Sequence, residues 1–396
     1  MSNNKTEKSS QTSIPFYRDE RILKIFAQVI STVIIIAIVI WAIINFFKAA
    51  DARNMNLTFG FLKEAAGFPI SNPPIDYVPG MSFGRAFQVG LVNTLLISGT
   101  GVIAATIIGT LIALARLSSN WLLSRIALVF IEFHRNIPLL VLLFIWYFVV
   151  FGFVPPVQES LQWPGPIFIN KRGVYLAWPR LTETGNIFVI LVVIGLLVSI
   201  AVFTILRSRR KITGKDTFYF PISLGLLIIF FIGGWLFSSG TPFYMDIPSL
   251  EGFNFQGGLR LTPEFAGMFL SLSLYTAAFI AEVVRGGIQA VNKGQIEAAR
   301  AIGLSQIQVL SLVIMPQALR IIIPPMISQY LNLTKNSSLA LAIGFQEVFA
   351  VGKIAINQAG RAVPVFALIM ITYLSLSLLT SFVLNIYNRR IQFVLR

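Results

Sequence analysis

Side chains able to do chemistry are scarce in this 396-residue chain, and the missing ones exclude whole reaction classes. There is no cysteine and only one histidine, His134, which excludes thiolate metal sites, cysteine nucleophiles, disulfides and a histidine cluster for zinc. No metal site is expected. The Gly-Lys pairs in Gly214-Lys215-Asp216 and Gly352-Lys353-Ile354 lack the following Ser or Thr and the earlier glycine of a phosphate-binding loop, so no nucleotide cofactor is expected in this chain. What remains is polar chemistry inside apolar runs, where an ionisable group is costly and marks a function or a partner. Lys335 stands among Asn332, Asn336, Ser337 and Ser338. These amides, hydroxyls and one cation would bind a carboxylate along a substrate pathway; equally, Lys335 would snorkel to the interface or pair with Glu132 or Glu282. Glu132, His134 and Arg135, with Glu282, pose a parallel choice between a cytoplasmic-end gate and an interfacial ion pair. Asn93 and Thr94 either line the same pathway or bond across helices.

The elements that must position these groups follow from composition. Hydrophobic residues make up 56% of the chain and charged residues 12%, with a mean hydropathy of +0.77. A soluble domain keeps about 25% charged residues, so lipid must solvate this exterior. Uncharged runs at 25–47, 86–115, 136–158, 184–206, 217–245, 265–281 and 362–388, with 321–346 interrupted only by Lys335, predict eight membrane-spanning helices and an all-α polytopic fold. The run 301–319 reads as a surface helix because it holds Gln306, Gln308, Gln317, Ser305, Ser311 and Pro316. Lys and Arg outnumber Asp and Glu by 31 to 16, and most of the cations gather on one face, most densely from Arg207 to Lys215. That face is predicted to be cytoplasmic and to hold both termini. The net +15 therefore orients spans and implies no nucleic-acid partner. The first run is too long for a signal peptide and lacks its small-residue cleavage site, so it is read as a retained span. The loops 48–85 and 153–183, rich in Pro, Gly and aromatics, read as irregular extracytoplasmic connections.

Between the sixth and seventh spans, the segment from Arg285 to Gln306 predicts two short helices joined at a corner. Asn292 with Gln295, and Ser305 with Gln308, have capping-box spacing, and Gly303 between them suits a helix C-terminus with positive φ. On local chemistry alone this is as readily an amphipathic element at the headgroup level as a docking element. The sequence Glu297-Ala298-Ala299, then Gly303, then Val313-Ile314-Met315-Pro316 resembles the EAA loop of ABC importer permeases, with Val313 and Met315 as size-conserving departures. Ala281 to Gly287, Pro316 to Arg320, Lys335 to Leu339 and Phe133 to Leu140 are similar to segments of the polar amino-acid branch, the histidine/glutamine-type permeases. The enlarged plan resembles the long permease subunit of general L-amino-acid ABC transporters.

The resemblance implies a five-helix permease core over 86–152 and 263–390, with the EAA loop at about 290–325. Around it would lie a cytoplasmic tail over 1–24, an added span and periplasmic loop over 25–85, an insertion with two added spans over 153–262, and a tail over 391–396. It implies a bacterial inner-membrane subunit, itself no enzyme, that moves L-amino acids handed over by a periplasmic binding protein. Two cytoplasmic ABC ATPase subunits would use ATP and Mg to drive alternating access. A second, related permease would complete a heterodimer, a homodimer being the alternative. Coupling would fall to Glu297, as a carboxylate at the helix start for a partner arginine, to Ala298 and Ala299 for close approach, and to Gly303 for the corner. An ion-coupled secondary transporter of small polar solutes is the competing reading. It requires mid-span carboxylates, and the spans hold almost none beyond Glu132 and Glu282 near their cytoplasmic ends.

Overall fold

The computed structural model describes residues 20–52, 57–238 and 240–391; most of the tails expected at 1–24 and 391–396 lies outside the described residues. Its longer helices are α1 (Glu20–Ala52), α2 (Phe83–Arg116), α3 (Trp121–Asn136), α4 (Leu139–Phe153), α5 (Gly185–Thr213), α6 (Tyr219–Phe237), α7 (Pro263–Gln289), α8 (Lys293–Ala301), α9 (Met315–Asn336), α10 (Val348–Ala359) and α11 (Ala362–Ile391). Among the described residues seven helices are long and apolar enough to cross a membrane, or eight if α3 and α4 form one broken span. The fold class and the number of spans agree with expectation; three boundaries do not.

The run 136–158 is not one span. α3 starts at Trp121, and α4 leaves it at 106°. Pro138 sets this break, because its ring pushes the preceding Ile137 out of the helical region to φ −100°, ψ 130°. The run 217–245 stops as helix at Phe237 and continues into a strand. The run 301–319 is not a separate surface helix, since a continuous rod runs from Gln306 to Ile343 through a π-helical stretch at Val309–Ile314. Pro316 falls where the π-helical stretch passes into α9. At 1.5 Å per residue the rod is about 57 Å long against a hydrocarbon core of about 30 Å, so part of it must extend beyond the core.

The loops expected to be extracytoplasmic are also more ordered than their composition suggests. Strands β1 (Leu161–Trp163), β2 (Ile167–Asn170), β3 (Gly173–Leu176), β4 (Trp178–Leu181), β5 (Phe243–Asp246), β6 (Ser249–Glu251), β7 (Asn254–Gln256) and β8 (Leu259–Leu261) pair antiparallel in the order β1-β2-β3-β8, with β4–β5 and β6–β7 as separate ribbons. The segment 153–183 is thus half of a small β platform closed by the segment before α7, with Val174 opposite Leu261 and Leu181 opposite Phe243. Strands of three or four residues between prolines and glycines are too short to show a period of two. In the 48–85 loop, Phe61, Phe68, Tyr77 and Phe83 bury against Val348, Val351 and Val365.

The core is built on α2 against α7. Gly101, Ala105, Gly109 and Ala113 recur every fourth residue along α2, and all four are buried. A Cβ on Gly109 would lie 2.7 Å from the Ala277 carbonyl oxygen and 2.8 Å from Ile280, so the two backbones touch where only glycine fits. In lipid, close van der Waals contact of this kind replaces the hydrophobic drive between helices.

Candidate functional site

The corner expected at the cytoplasmic face is assembled by local bonds. Asn292 caps α8 by accepting from the Gly294 N–H at 2.8 Å. Gln295 does not close a box onto it, because its Oε1 accepts from Gln317 Nε2 at 3.0 Å instead. The second expected box, between Ser305 and Gln308, is complete. α8 ends with Gly303 at φ +84°, its N–H donating to Arg300 O at 2.9 Å while the Leu304 N–H donates to Ala299 O at 3.2 Å. These are the two bonds of a Schellman motif. Glu297 lies in the second turn of α8, not at its start as expected, so it does little for the orphan N–H groups. Its side chain is exposed and has no hydrogen-bond or ion-pair partner among the described residues. Ala298 faces outward, whereas Ala299 is buried on the chain's own side, so only one alanine offers close approach to another subunit. Ile302 and Ile307 flank the corner at 78% and 80% exposure. Beside them a hollow of about 570 Å³ is lined by Asn292, Gln295, Ala298, Leu304 and Val313 among others.

The polar residues expected in the seventh span separate into two sets. A cavity of about 280 Å³ lies between α7 and α9, lined by Tyr275, Thr276 and Phe279 on one side and by Gln329, Asn332 and Asn336 on the other. No charged side chain lines it. Lys335 is exposed and is not among the residues that line it, although it lies beside both asparagines on the helix. The Ser337 and Ser338 hydroxyls donate to the carbonyls of Thr334 and Lys335 at 2.8 and 2.9 Å, so they serve their own helix. Of the five residues grouped by sequence, Asn332 and Asn336 alone line this cavity.

The expected pairings near the cytoplasmic ends also differ. Glu132 accepts from Asn136 at 3.0 Å, and Glu282 is held by both arms of Arg285 at 3.0 and 2.7 Å. Neither pairs with Lys335. His134 is buried, with Nδ1 2.9 Å from Phe130 O and its ring 4.2 Å from the Phe130 ring. That contact makes Nδ1 the donor and the residue a packing element. Arg135 lies over the Phe279 ring at 5.5 Å. Glu132, His134, Arg135 and Glu282 therefore do not form one ion-paired gate. Asn93 and Thr94 bond across elements: Asn93 Nδ2 donates to Gln346 O at 2.8 Å, and Thr94 Oγ1 accepts from Val348 N at 3.2 Å.

Sequence reasoning missed Glu347. It is fully buried and caps α10, accepting from the Phe349 and Ala350 N–H groups at 3.0 and 2.8 Å and from the Tyr373 hydroxyl at 2.6 Å. The adjacent Gln346 side chain donates to Pro69 O and accepts from Ser71 N. A lone acid just past Gly344 in an otherwise apolar stretch was the available signal.

Residues 217–393 match the family described as binding-protein-dependent transport system inner membrane component. The chain is 43% identical to YhdX of Escherichia coli over 371 residues, covering 93% of this chain and 94% of that protein. It is 44% identical to the general L-amino acid transport system permease protein AapQ of Rhizobium johnstonii, over 96% of this chain and 94% of AapQ. It is 36% identical to the glutamate/glutamine/aspartate/asparagine transport system permease protein BztB of Rhodobacter capsulatus, over 94% and 95%. Similarity along nearly the whole length, including the added first span and the β-bearing insertion, leads to one conclusion: this chain belongs to the amino-acid ABC transporter permeases, the multi-pass membrane components of binding-protein-dependent transport systems.

Proposed function

We propose that this chain forms part of the path by which an ATP-driven importer moves L-amino acids, polar or broad in range, across the bacterial inner membrane. The observation that carries the coupling is the cytoplasmic corner. Ile302 and Ile307 are uncovered by this chain on either side of a turn fixed by Gly303, near Glu297, which has no partner among the described residues. Two exposed isoleucines flanking one corner, beside a hollow, suit a protein cover. A cytoplasmic ATPase subunit supplies it, with Glu297 available for a charge-assisted bond from a partner arginine. On this reading two ATPase subunits bind ATP and Mg, and the chain holds no cofactor of its own. A periplasmic binding protein delivers the substrate, and a second, related permease completes the pore as a heterodimer, with a homodimer as the alternative. The described ends of the chain face the cytoplasm. The permease core is 86–152 with 263–390, and the α7–α9 cavity with Asn332 and Asn336 lines the path. Its uncharged amides suit polar solutes, in keeping with the substrates in the names of AapQ and BztB.

The test is isolation of the complex with Ile302→Asp and Ile307→Asp. Both variants are expected to insert and fold while losing the ATPase subunit and amino-acid uptake. Full retention of the ATPase and of uptake in the double variant refutes the docking surface.

A further inference from the structure

α10 packs one face on its own chain and leaves the other uncovered. Val348, Val351 and Ala355 join the core formed with Phe61, Phe68 and Phe83, and a Cβ on Gly352 would lie 2.5 Å from Ile369 of α11. Beside this close approach a groove of about 270 Å³ runs between α10 and α11, lined by Phe349, Lys353, Ile356, Asn357, Phe366 and Ile369. Lys353 and Asn357, one turn apart, are its polar lining residues; both are exposed, and neither has a hydrogen-bond or ion-pair partner among the described residues. No acid lines the groove. α11 is a span from Ala362 to Ile386, so Phe366, one turn in, sets the groove where headgroups meet hydrocarbon. From there an exposed row continues along α11 at every fourth residue: Phe366, Met370, Leu374, Leu378 and Phe382. Helices that associate in lipid do so through small residues, as α2 does at Gly109, and this row has none. Its large side chains suit an acyl chain, not a second helix.

We propose that this groove holds the headgroup phosphate of an anionic phospholipid on Lys353 and Asn357, with an acyl chain along Phe366, Met370, Leu374 and Leu378. The Lys353 ammonium supplies a charge and the Asn357 amide an N–H, both of them donors to phosphate oxygens. With no carboxylate in the lining, a choline or ethanolamine cation would meet Lys353 unpaired, which favours lipids of net negative charge. One lysine at the membrane surface gives about a fivefold preference for an anionic lipid.

The chain has no cysteine, so Met370→Cys places a single thiol of this chain at an exposed position one turn beyond the groove. The purified complex is labelled there with bimane, the unsubstituted complex reporting any labelling of partner subunits. It is then placed in phosphatidylcholine bilayers with increasing amounts of phosphatidylglycerol or phosphatidylcholine that carries a nitroxide in its chain. The nitroxide phosphatidylglycerol is expected to reach half-quenching at about fivefold lower mole fraction. Lys353→Gln is expected to remove that preference and Lys353→Arg to keep it. The same probe at Leu197→Cys, exposed on α5, should not respond to Lys353→Gln. The comparison of the two lipids requires no change at Lys353 and so stands even if those variants fail to fold. Equal quenching by both lipids, or an undiminished preference in Lys353→Gln, overturns the site. A loss of preference at Leu197→Cys as large as that at Met370→Cys shows an effect of net charge alone and also overturns it. Quenching by neither lipid shows a protein cover and overturns the acyl-chain track, and the proposal with it.

Discussion

Gly303 separates a backbone requirement from a docking requirement. Its φ of +84° lies in the left-handed region, and a Cβ added there would meet nothing within 4 Å. Substitution therefore costs backbone strain without a steric clash. For an ordinary L residue that strain is roughly 1–2 kcal/mol. A change of that size alters the ratio of formed to unformed corner about 5- to 30-fold. Asparagine tolerates the region better than alanine, and a β-branched residue tolerates it worst. The order of function at position 303 should thus be Gly, Asn, Ala, Val, although Asn is larger than Ala. The assay is amino-acid uptake in proteoliposomes beside ATPase activity of the same complex. Loss of the corner should lower uptake per ATP hydrolysed while leaving insertion intact, because the two Schellman bonds hold no span in place. Gly303→Asp is expected to uncouple in the same sense. If function follows side-chain volume, with Ala better than Asn, the corner is limited by packing against the ATPase and the backbone argument is refuted.

Gly109→Ala should destabilise the protein by about 1–3 kcal/mol, because the new methyl meets the Ala277 carbonyl and Ile280 below 3 Å. Gly99→Ala, with nothing within 4 Å, is the control and should leave the thermal midpoint in detergent unchanged or raise it. Tyr373→Phe removes one donor from the buried Glu347 and should cost about 1–3 kcal/mol, while Glu347→Ala, which also strands two N–H groups of α10, should cost more. A thermal midpoint unmoved by Tyr373→Phe shows that the 2.6 Å bond contributes nothing to stability.

Much of this protein is legible in the sequence because the relevant signals are local. Hydropathy gave eight spans because crossing lipid requires about 20 apolar residues in a row whatever they pack against. Gly303 was recognisable as a helix end because a positive φ is a property of one residue and its neighbours. The Ser305–Gln308 box closes within four residues and formed as expected. The β platform was not legible, since β3 and β8 are short and pair across the whole α5–α6 hairpin. Nor was the bend at Pro138 fixed by composition, which counts apolar residues but not the direction of the chain.

The sequence by itself determined that the chain lives in a membrane, about how many times it crosses, and that a helix close to Glu297 ends at Gly303. Only the tertiary structure decided which side chains meet. It left Lys335 out of the cavity lined by Asn332 and Asn336, tied Glu282 to Arg285, bonded the buried Glu347 to Tyr373, and set Arg135 over Phe279. The physical reason is that the rotation of a helix about its axis is fixed by the neighbours it packs on, here by contacts as close as Gly109 on Ala277, and those neighbours lie far away in sequence.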